Sequence, residues 1–182
     1  MSRVLVPLAQ GCEELEAITI TDLLVRAGVD VTTAGLDNQP VKASRGTTLI
    51  PDTTIEAVSD ELFDLIVLPG GLPGADHLRD NQNIQKLLKN HAAEGKYIGA
   101  ICAAPKALAQ AGLLEGKKAT GYPGVLAALG DSDIAVSDAA IEIDDKIVTS
   151  RGPGTAMDFA LTLIELLEGH ARRDEVEQQL VR

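Results

Sequence analysis

The sequence predicts a single α/β domain spanning residues 1–182, with a mostly parallel central sheet buried between helices. A chain of 182 residues fits one domain of ordinary size. Apolar residues make up 45% of it and aromatic residues only 2%, so Val, Ile, Leu and Ala must build the core, which is typical of buried parallel strands. Short apolar runs alternate with segments of helical spacing, which indicates repeated strand–helix–strand units.

The individual elements follow from this alternation. Strands are predicted at residues 4–8, 29–34, 64–68 and 97–101, and helices at residues 13–28 and 83–94. A hairpin is predicted over residues 140–150, followed by helices at 154–169 and 171–182. The spacing predicts two apolar helix faces near the end of the chain, formed by Met157, Leu161 and Ile164 and by Val176, Leu180 and Val181.

Turns rich in Gly and Pro follow several of these strands, at residues 69–71, 123–124 and 152–154. In open α/β sheets the ligand site lies at the carboxyl ends of the strands. We therefore expect the functional site at that edge of the sheet.

The charge balance excludes several classes of partner. The net charge is −11, from 27 acidic and 16 basic residues, and no stretch gathers enough Lys or Arg to bind a phosphate backbone. Trp is absent and Tyr and Phe number two each, so stacking platforms for single strands are missing. We therefore expect no nucleic-acid partner. We also expect no membrane partner, since no apolar run approaches the ~20 residues of a membrane helix.

The two cysteines, Cys12 and Cys102, have neither a CxxC nor a disulfide-framework spacing, which favours a reducing compartment. The first residues lack the features of a signal or transit peptide. We therefore expect a cytoplasmic protein.

Cys102 is the strongest candidate for a catalytic group. It lies between a predicted strand and a helix that begins near Pro105, and the residues on both sides of it are small. This pattern is typical of a nucleophile elbow, and the start of a helix can lower the pKa of a thiol to ~3.5–7.5. The alternative is that Cys102 is a small buried apolar residue.

Glu16 differs from its acidic neighbours Glu13 and Glu14. Those two are interpreted as acids favoured in a first helical turn. Glu16 instead lies in line with the apolar stripe of the predicted helix, so that burial would raise its pKa and let it donate a hydrogen bond to a thiolate. The alternative is an ordinary Glu at the edge of the stripe.

Backbone and arginine contacts complete the predicted site. Gly70 and Gly71 follow a strand, and their N–H groups and that of Ala103 could stabilise an oxyanion, although a Pro-Gly-Gly sequence is also an ordinary tight turn. Arg45 and Arg151 each lie in a short turn and could contact an anion, or form surface salt bridges.

We expect no metal site, because the histidines lack the spacing of metal ligands. They are His77, His91 and His170. Cys12 could be a second redox residue, but a spare loop thiol is the simpler interpretation.

Four motifs together carry a family resemblance: GCEELE at residues 11–16, LPGG at 68–71, AICAAP at 100–105 and SRGPGT at 150–155. In this order and spacing, over nearly its full length, the chain resembles the ThiJ/PfpI superfamily, on the branch of the parkinsonism-associated protein and bacterial YajL.

The resemblance implies a flavodoxin-like three-layer sandwich and a homodimer. It also implies a reactive Cys102 hydrogen-bonded to a protonated Glu16, an oxyanion pocket formed by Gly71 and Ala103, and an entrance lined by Arg45 and Arg151. Members of this branch are deglycases or glyoxalases acting on methylglyoxal and its adducts, oxidative-stress sensors or chaperones.

The chain departs from its relatives at two positions. Tyr122 occupies a turn position where the branch often has a His, which removes a proton shuttle. Ala103 follows Cys102 where the protease-like branch has a His, so we expect neither peptidase nor amidotransferase activity.

Two functions remain open at this point. In the first, the protein is a cofactor-free enzyme in which Cys102 attacks methylglyoxal or a glycated amine or thiol and Glu16 moves the proton. In the second, Cys102 is a peroxide sensor that alters chaperone or partner binding without turnover.

Overall fold

The computed structural model describes residues 1–182 and confirms a mostly parallel sheet flanked by helices. The strands are β1 (Arg3–Leu8), β2 (Asp30–Gly35), β3 (Val41–Lys42), β4 (Thr48–Leu49), β5 (Thr53–Thr54), β6 (Leu65–Leu68), β7 (Tyr97–Ile101), β8 (Lys118–Ala119), β9 (Ala135–Val136), β10 (Ile141–Asp144) and β11 (Ile147–Ser150). The helices are α1 (Glu14–Arg26), α2 (Gly74–Asp80), α3 (Gln82–Ala93), α4 (Pro105–Gln110), α5 (Ala156–Glu168) and α6 (His170–Gln179). Short 3₁₀ turns lie at Ala127–Leu129 and Pro153–Thr155.

The central sheet has seven strands in the order β10-β11-β7-β6-β1-β2-β5. All neighbours are parallel except β10 and β11, which form the predicted hairpin. The register places Leu68 beside Ala100 and Ile101 beside Ser150. The turns that follow β6, β7 and β11 therefore meet at one edge, as expected for an open α/β sheet.

Both faces of the sheet are covered by apolar packing. On one face, Val4, Val6 and Val67 pack with buried residues of α1, α5 and α6. On the other face, Leu5 and Ile66 pack with buried residues of α2, α3 and α4. Because alternate residues of a strand point to opposite faces, a strand covered on both sides must be apolar throughout, which explains the continuous apolar runs in the sequence.

The predicted helix faces are partly wrong. Leu161, Ile164 and Val176 are buried, but Met157 and Val181 are exposed. Helix α5 begins at Ala156, so Met157 lies in its first turn and turns away from the sheet, and Val181 lies beyond the end of α6. The two-residue strands were not predicted, because so short a segment has no measurable periodicity. None of the helices combines the length and the apolar character that a membrane span requires.

Candidate functional site

Cys102 lies immediately after β7, in the turn that leads into α4. Its φ is +63°, in the left-handed region that non-glycine residues adopt at a cost of ~1–3 kcal/mol. The Cys102 N–H donates to the carbonyl of Ser150, 3.0 Å away, which ties the turn to the end of β11. The side chain is only 8% exposed. This is the sharp strand-to-helix turn that the small neighbours of Cys102 predicted.

Gly70 provides the space in which two side chains meet. A Cβ at this position would lie 2.7 Å from the Cβ of Cys102 and 2.8 Å from Oε2 of Glu16. Any side chain at residue 70 would therefore push the carboxyl group and the thiol apart. The glycine is required by close packing, since its φ is not in the left-handed region.

Glu16 is fully buried, as its place in the apolar stripe predicted. Its Oε2 accepts a 2.7 Å hydrogen bond from the Gly70 N–H, whereas Oε1 has no hydrogen-bond partner. Burial raises the pKa of Glu16 to about 7, against the lowering effect of hydrogen bonds from Gly70 and Cys102, and the charge of Glu13 raises it further. The carboxyl group can thus carry a proton near neutral pH.

The thiol of Cys102 responds to the same environment. Burial raises its pKa to about 12, and the ionised Glu16 adds to the increase through its charge and its hydrogen bond. The backbone N–H groups of Gly71 and Ala103 act in the opposite direction. The sequence-based expectation of a lowered thiol pKa is therefore wrong while Glu16 is ionised. The two groups titrate as a pair, and between these two pKa values the pair holds one proton.

An open cleft of about 420 Å³ leads from the surface to Cys102. Its floor contains Gly71, Cys102 and Ala103, so both predicted oxyanion donors lie beside the sulfur. One wall is polar and is formed by Glu13, Ser44 and Arg45. The other wall is apolar and is formed by Leu72, Tyr122, Val125 and Pro153. Glu16 does not line the cleft, and its carboxyl group lies next to the Cys102 side chain.

Glu13 was interpreted as an ordinary first-turn acid, but it is a buried residue of the polar wall. Its carboxylate accepts a hydrogen bond from Ser44 Oγ at 3.0 Å, and its N–H donates to the Gly70 carbonyl at 2.9 Å. Ser44 belongs to a turn between β3 and β4 that packs over the start of α1 through the Ser44 N–H and the Cys12 carbonyl. The sequence alone could not distinguish the role of Glu13 from that of Glu14, because the turn that contains Ser44 is distant from both residues along the chain.

The two predicted arginines have different surroundings. Arg45 lines the cleft with a side chain that is 79% exposed, and its Nε is 3.9 Å from the Glu13 carboxylate. Arg151 does not line the cleft and pairs with Asp138 at 2.9 Å. Gly70, also predicted as an anion contact, donates its N–H to Glu16 instead.

Cys12 does not line the cleft. It is fully buried, and burial together with the nearby charge of Glu14 raises its pKa to about 11. The structure has no group of three or more His, Cys, Asp or Glu side chains placed to hold a metal ion. Cys102 is therefore the only cysteine that opens onto the cleft.

Comparison with known proteins agrees with the resemblance of the motifs. A profile of the DJ-1/PfpI family matches residues 2–166. The protein DJ-1 homolog A of Arabidopsis thaliana is 44% identical over 180 residues, which cover 98% of this chain and 46% of that protein, so the chain spans about half the length of this relative. The glutathione-independent glyoxalase DJR-1.2 of Caenorhabditis elegans is 36% identical over 171 residues, covering 94% of this chain and 91% of that protein.

Solved structures of the same family share the fold. The crystal structure of Drosophila melanogaster DJ-1beta superposes with a TM-score of 0.95 at 41% identity and covers 100% of this chain and 98% of that one. This agreement confirms the flavodoxin-like sandwich implied by the motifs.

Proposed function

Because the chain belongs to the DJ-1/PfpI family, we propose that it is a cofactor-free glyoxalase or protein and nucleotide deglycase that acts on methylglyoxal and its early adducts. The observation that carries this proposal is the pair formed by Cys102, at the floor of an open cleft, and the buried Glu16 beside it. A relative is named as a glutathione-independent glyoxalase, which supports carbonyl chemistry on the same scaffold.

The pair is active when it holds one proton, because the ionised Glu16 can then accept the proton of the Cys102 thiol as the sulfur attacks. The thiolate attacks the aldehyde carbon of methylglyoxal, and a carbon–sulfur bond forms while the carbonyl electrons move to oxygen. The N–H groups of Gly71 and Ala103 lie beside the sulfur and hydrogen-bond the developing oxyanion. Glu16 then gives its proton to that oxygen, which leaves a hemithioacetal and a carboxylate.

The carboxylate next moves a proton between the two carbons. It accepts the C–H proton of the former aldehyde carbon and returns it to the neighbouring carbonyl oxygen, so that an enediol forms. Transfer of the other hydroxyl proton to the neighbouring carbon then gives the lactate thioester of Cys102, so that one carbon is oxidised and the other is reduced without an external oxidant. Water cleaves the thioester, which releases lactate and restores the thiol. An adduct of an amine or thiol enters the same route once its methylglyoxal group has been transferred to Cys102.

The assay is lactate formation from methylglyoxal and from freshly glycated N-acetylcysteine, in a buffer without amines. We expect turnover above the blank in the wild type and none in Cys102→Ser or Glu16→Gln. Cys12→Ala is the matched control, since Cys12 is an equally buried thiol outside the cleft. A wild-type rate equal to the blank, or full activity in Cys102→Ser, would contradict the enzymatic proposal.

A second function, a peroxide sensor, is favoured by one specific feature. Tyr122 replaces the proton-shuttling His of the branch, while Cys102 stays open to small oxidants and two N–H groups lie beside its sulfur. In this case Cys102 is oxidised to the sulfenic or sulfinic acid and the altered surface changes chaperone or partner binding. Mass spectrometry after mild peroxide treatment tests it, and an unmodified Cys102 at doses that oxidise free N-acetylcysteine would exclude the sensor.

We also propose that the protein works as a homodimer in the cytoplasm. The support is the family resemblance together with apolar side chains that α1 leaves exposed, namely Leu15, Ile18 and Val25. Light scattering after size-exclusion chromatography should give twice the chain mass of 19.1 kDa, that is, a dimer, and a monomeric mass would reject it.

A further inference from the structure

The apolar wall of the cleft is larger than methylglyoxal requires. Leu72 is 57% exposed and Tyr122 is 52% exposed, although both are large apolar side chains beside the reactive sulfur. The cleft volume of about 420 Å³ falls in the range of ~300–1,000 Å³ in which proteins bind ligands far larger than a three-carbon aldehyde. Part of the cleft therefore stays empty when methylglyoxal is bound.

The backbone of Tyr122 is held next to Cys102, and its ring contacts a neighbouring turn. The Tyr122 N–H donates to the Cys102 carbonyl at 2.8 Å, and the Tyr122 carbonyl accepts from the Val125 N–H at 3.0 Å. A Cβ on Gly152 would lie 3.4 Å from Cδ2 of the ring, so the ring packs directly against the turn that follows β11. Because the backbone of Tyr122 is hydrogen-bonded to the backbone of Cys102 and its ring packs against Gly152, the ring lies close to the residue that carries the nucleophile.

The two walls differ in chemistry. Arg45 presents the hydrogen-bond donors of its exposed guanidinium, since the Ser44 hydroxyl already donates to Glu13 and Glu14, whereas Leu72, Tyr122 and Val125 present mostly carbon. A ligand that bonds to Cys102 through its aldehyde carbon can thus direct its oxygen atoms toward the donors and an apolar substituent toward the carbon wall. Aromatic and apolar surfaces removed from water on such a wall contribute favourably to binding.

We propose that this cleft selects 2-oxoaldehydes that carry an aromatic or bulky apolar substituent, with Tyr122 and Leu72 as the specificity-determining residues. The inference rests on the proposed glyoxalase function and names its substrate class. Phenylglyoxal represents this class, and methylglyoxal represents the small alternative.

The first test compares kcat/KM for the two 2-oxoaldehydes. We expect the wild type to prefer phenylglyoxal, and Tyr122→Ala to lower the ratio of phenylglyoxal to methylglyoxal by about tenfold, the lower end of what an apolar contact contributes to specificity. Tyr122→Phe keeps the ring and should keep the ratio. Val136→Ala is the matched control, since Val136 is equally exposed but does not line the cleft. An unchanged ratio in Tyr122→Ala would overturn the proposal.

The second test does not depend on turnover. 2-Bromoacetophenone and bromoacetone each alkylate a thiolate, with formation of a carbon–sulfur bond and loss of bromide, and Cys102→Ser identifies the reacting residue. Each rate is divided by the rate with N-acetylcysteine, and we expect a normalised preference for the aryl reagent that Tyr122→Ala removes. Equal normalised rates in the wild type would reject the specificity of the wall. The preference without lactate formation would instead reject only the enzymatic function.

Discussion

Glu16 and His91 are two fully buried titratable side chains on opposite faces of the central sheet, and the contrast between them separates a functional group from a structural one. Glu16 is buried on the face covered by α1, and His91 is buried on the face covered by α3. His91 has both ring nitrogens bonded: Nδ1 donates to the Leu87 carbonyl at 2.8 Å, and Nε2 accepts from the Phe63 N–H at 2.9 Å. Glu16 has an oxygen with no partner.

This difference shows how burial should be interpreted. A buried polar group whose bonds are complete stabilises one arrangement of the chain, as His91 holds Phe63 against α3. A buried group that lacks a partner and contacts a second titratable group can exchange a proton with it. Burial alone, which both residues share, indicates neither role.

The largest effect that this contrast predicts is on the rate of lactate formation. Glu16→Gln keeps the size of the side chain but cannot release a proton, so we expect it to lower the rate of lactate formation by about 10²–10⁴-fold, the usual contribution of a general acid–base group. His91→Gln should leave the rate within about twofold, since His91 lies on the opposite face of the sheet and does not line the cleft. A similar loss in both variants would mean that Glu16 acts only through folding.

The second effect concerns stability. His91→Ala leaves the buried Phe63 N–H without an acceptor and opens a cavity, and we expect a loss of about 3 kcal/mol in the free energy of unfolding. His77→Ala is the control, because His77 is an exposed helical histidine and its replacement should cost less than about 0.5 kcal/mol. Urea denaturation measures both values. Equal losses would show that His91 contributes nothing specific.

The third effect is a gain in the free energy of unfolding when Glu16 is replaced. The pKa of Glu16 is raised by burial, so its contribution to stability is fully present below its unfolded pKa and is lost as the pH rises through about 7. Glu16→Gln cannot ionise, and we expect it to be more stable than the wild type by about 3 kcal/mol at pH 8, with the difference disappearing near pH ~4, below the unfolded pKa of Glu. Urea denaturation at the two pH values measures this. A variant that is less stable at both would show that the carboxyl group is not strained by its burial.

Much of this contrast could be predicted from the sequence. The apolar runs revealed a sheet buried on both faces, and the small residues around Cys102 revealed the sharp turn. The place of Glu16 in the apolar stripe revealed its burial, because helical spacing determines which residues share a face. All of these are local patterns.

The rest depends on contacts between distant parts of the chain. Glu13 is buried because the turn that contains Ser44 packs over it, and Arg151 pairs with Asp138 and does not line the cleft. The histidines gave no metal spacing, but nothing in the sequence showed that His91 would meet Phe63. The raised pKa of Cys102 likewise arises from burial and from Glu16, neither of which the local elbow pattern contains.

The smallest predicted effect concerns His91, on the other face of the sheet. It tests the direction in which the free energy of unfolding changes with pH. Burial lowers the pKa of His91, against its hydrogen bond to Leu87, and the charge of Lys96 lowers it further. The stability that the neutral ring provides is therefore present above the unfolded pKa of ~6.5 and is lost as the pH falls below it, the opposite direction to Glu16. His91→Gln lacks this loss, so the stability difference between the wild type and the variant should shrink by about 1 kcal/mol from pH 7 to pH 5.

Comparing the two single variants separates the pH dependence that each buried group gives to the free energy of unfolding. Glu16→Gln retains only the His91 contribution and should lose stability on acidification from pH 7 to pH 5, whereas His91→Gln retains only that of Glu16 and should gain it. In the wild type the two contributions oppose each other, so its unfolding free energy should change least over this range. Parallel pH profiles for the two single variants would mean that neither buried group governs the acid response, and the contrast between the faces would then be one of hydrogen bonding alone.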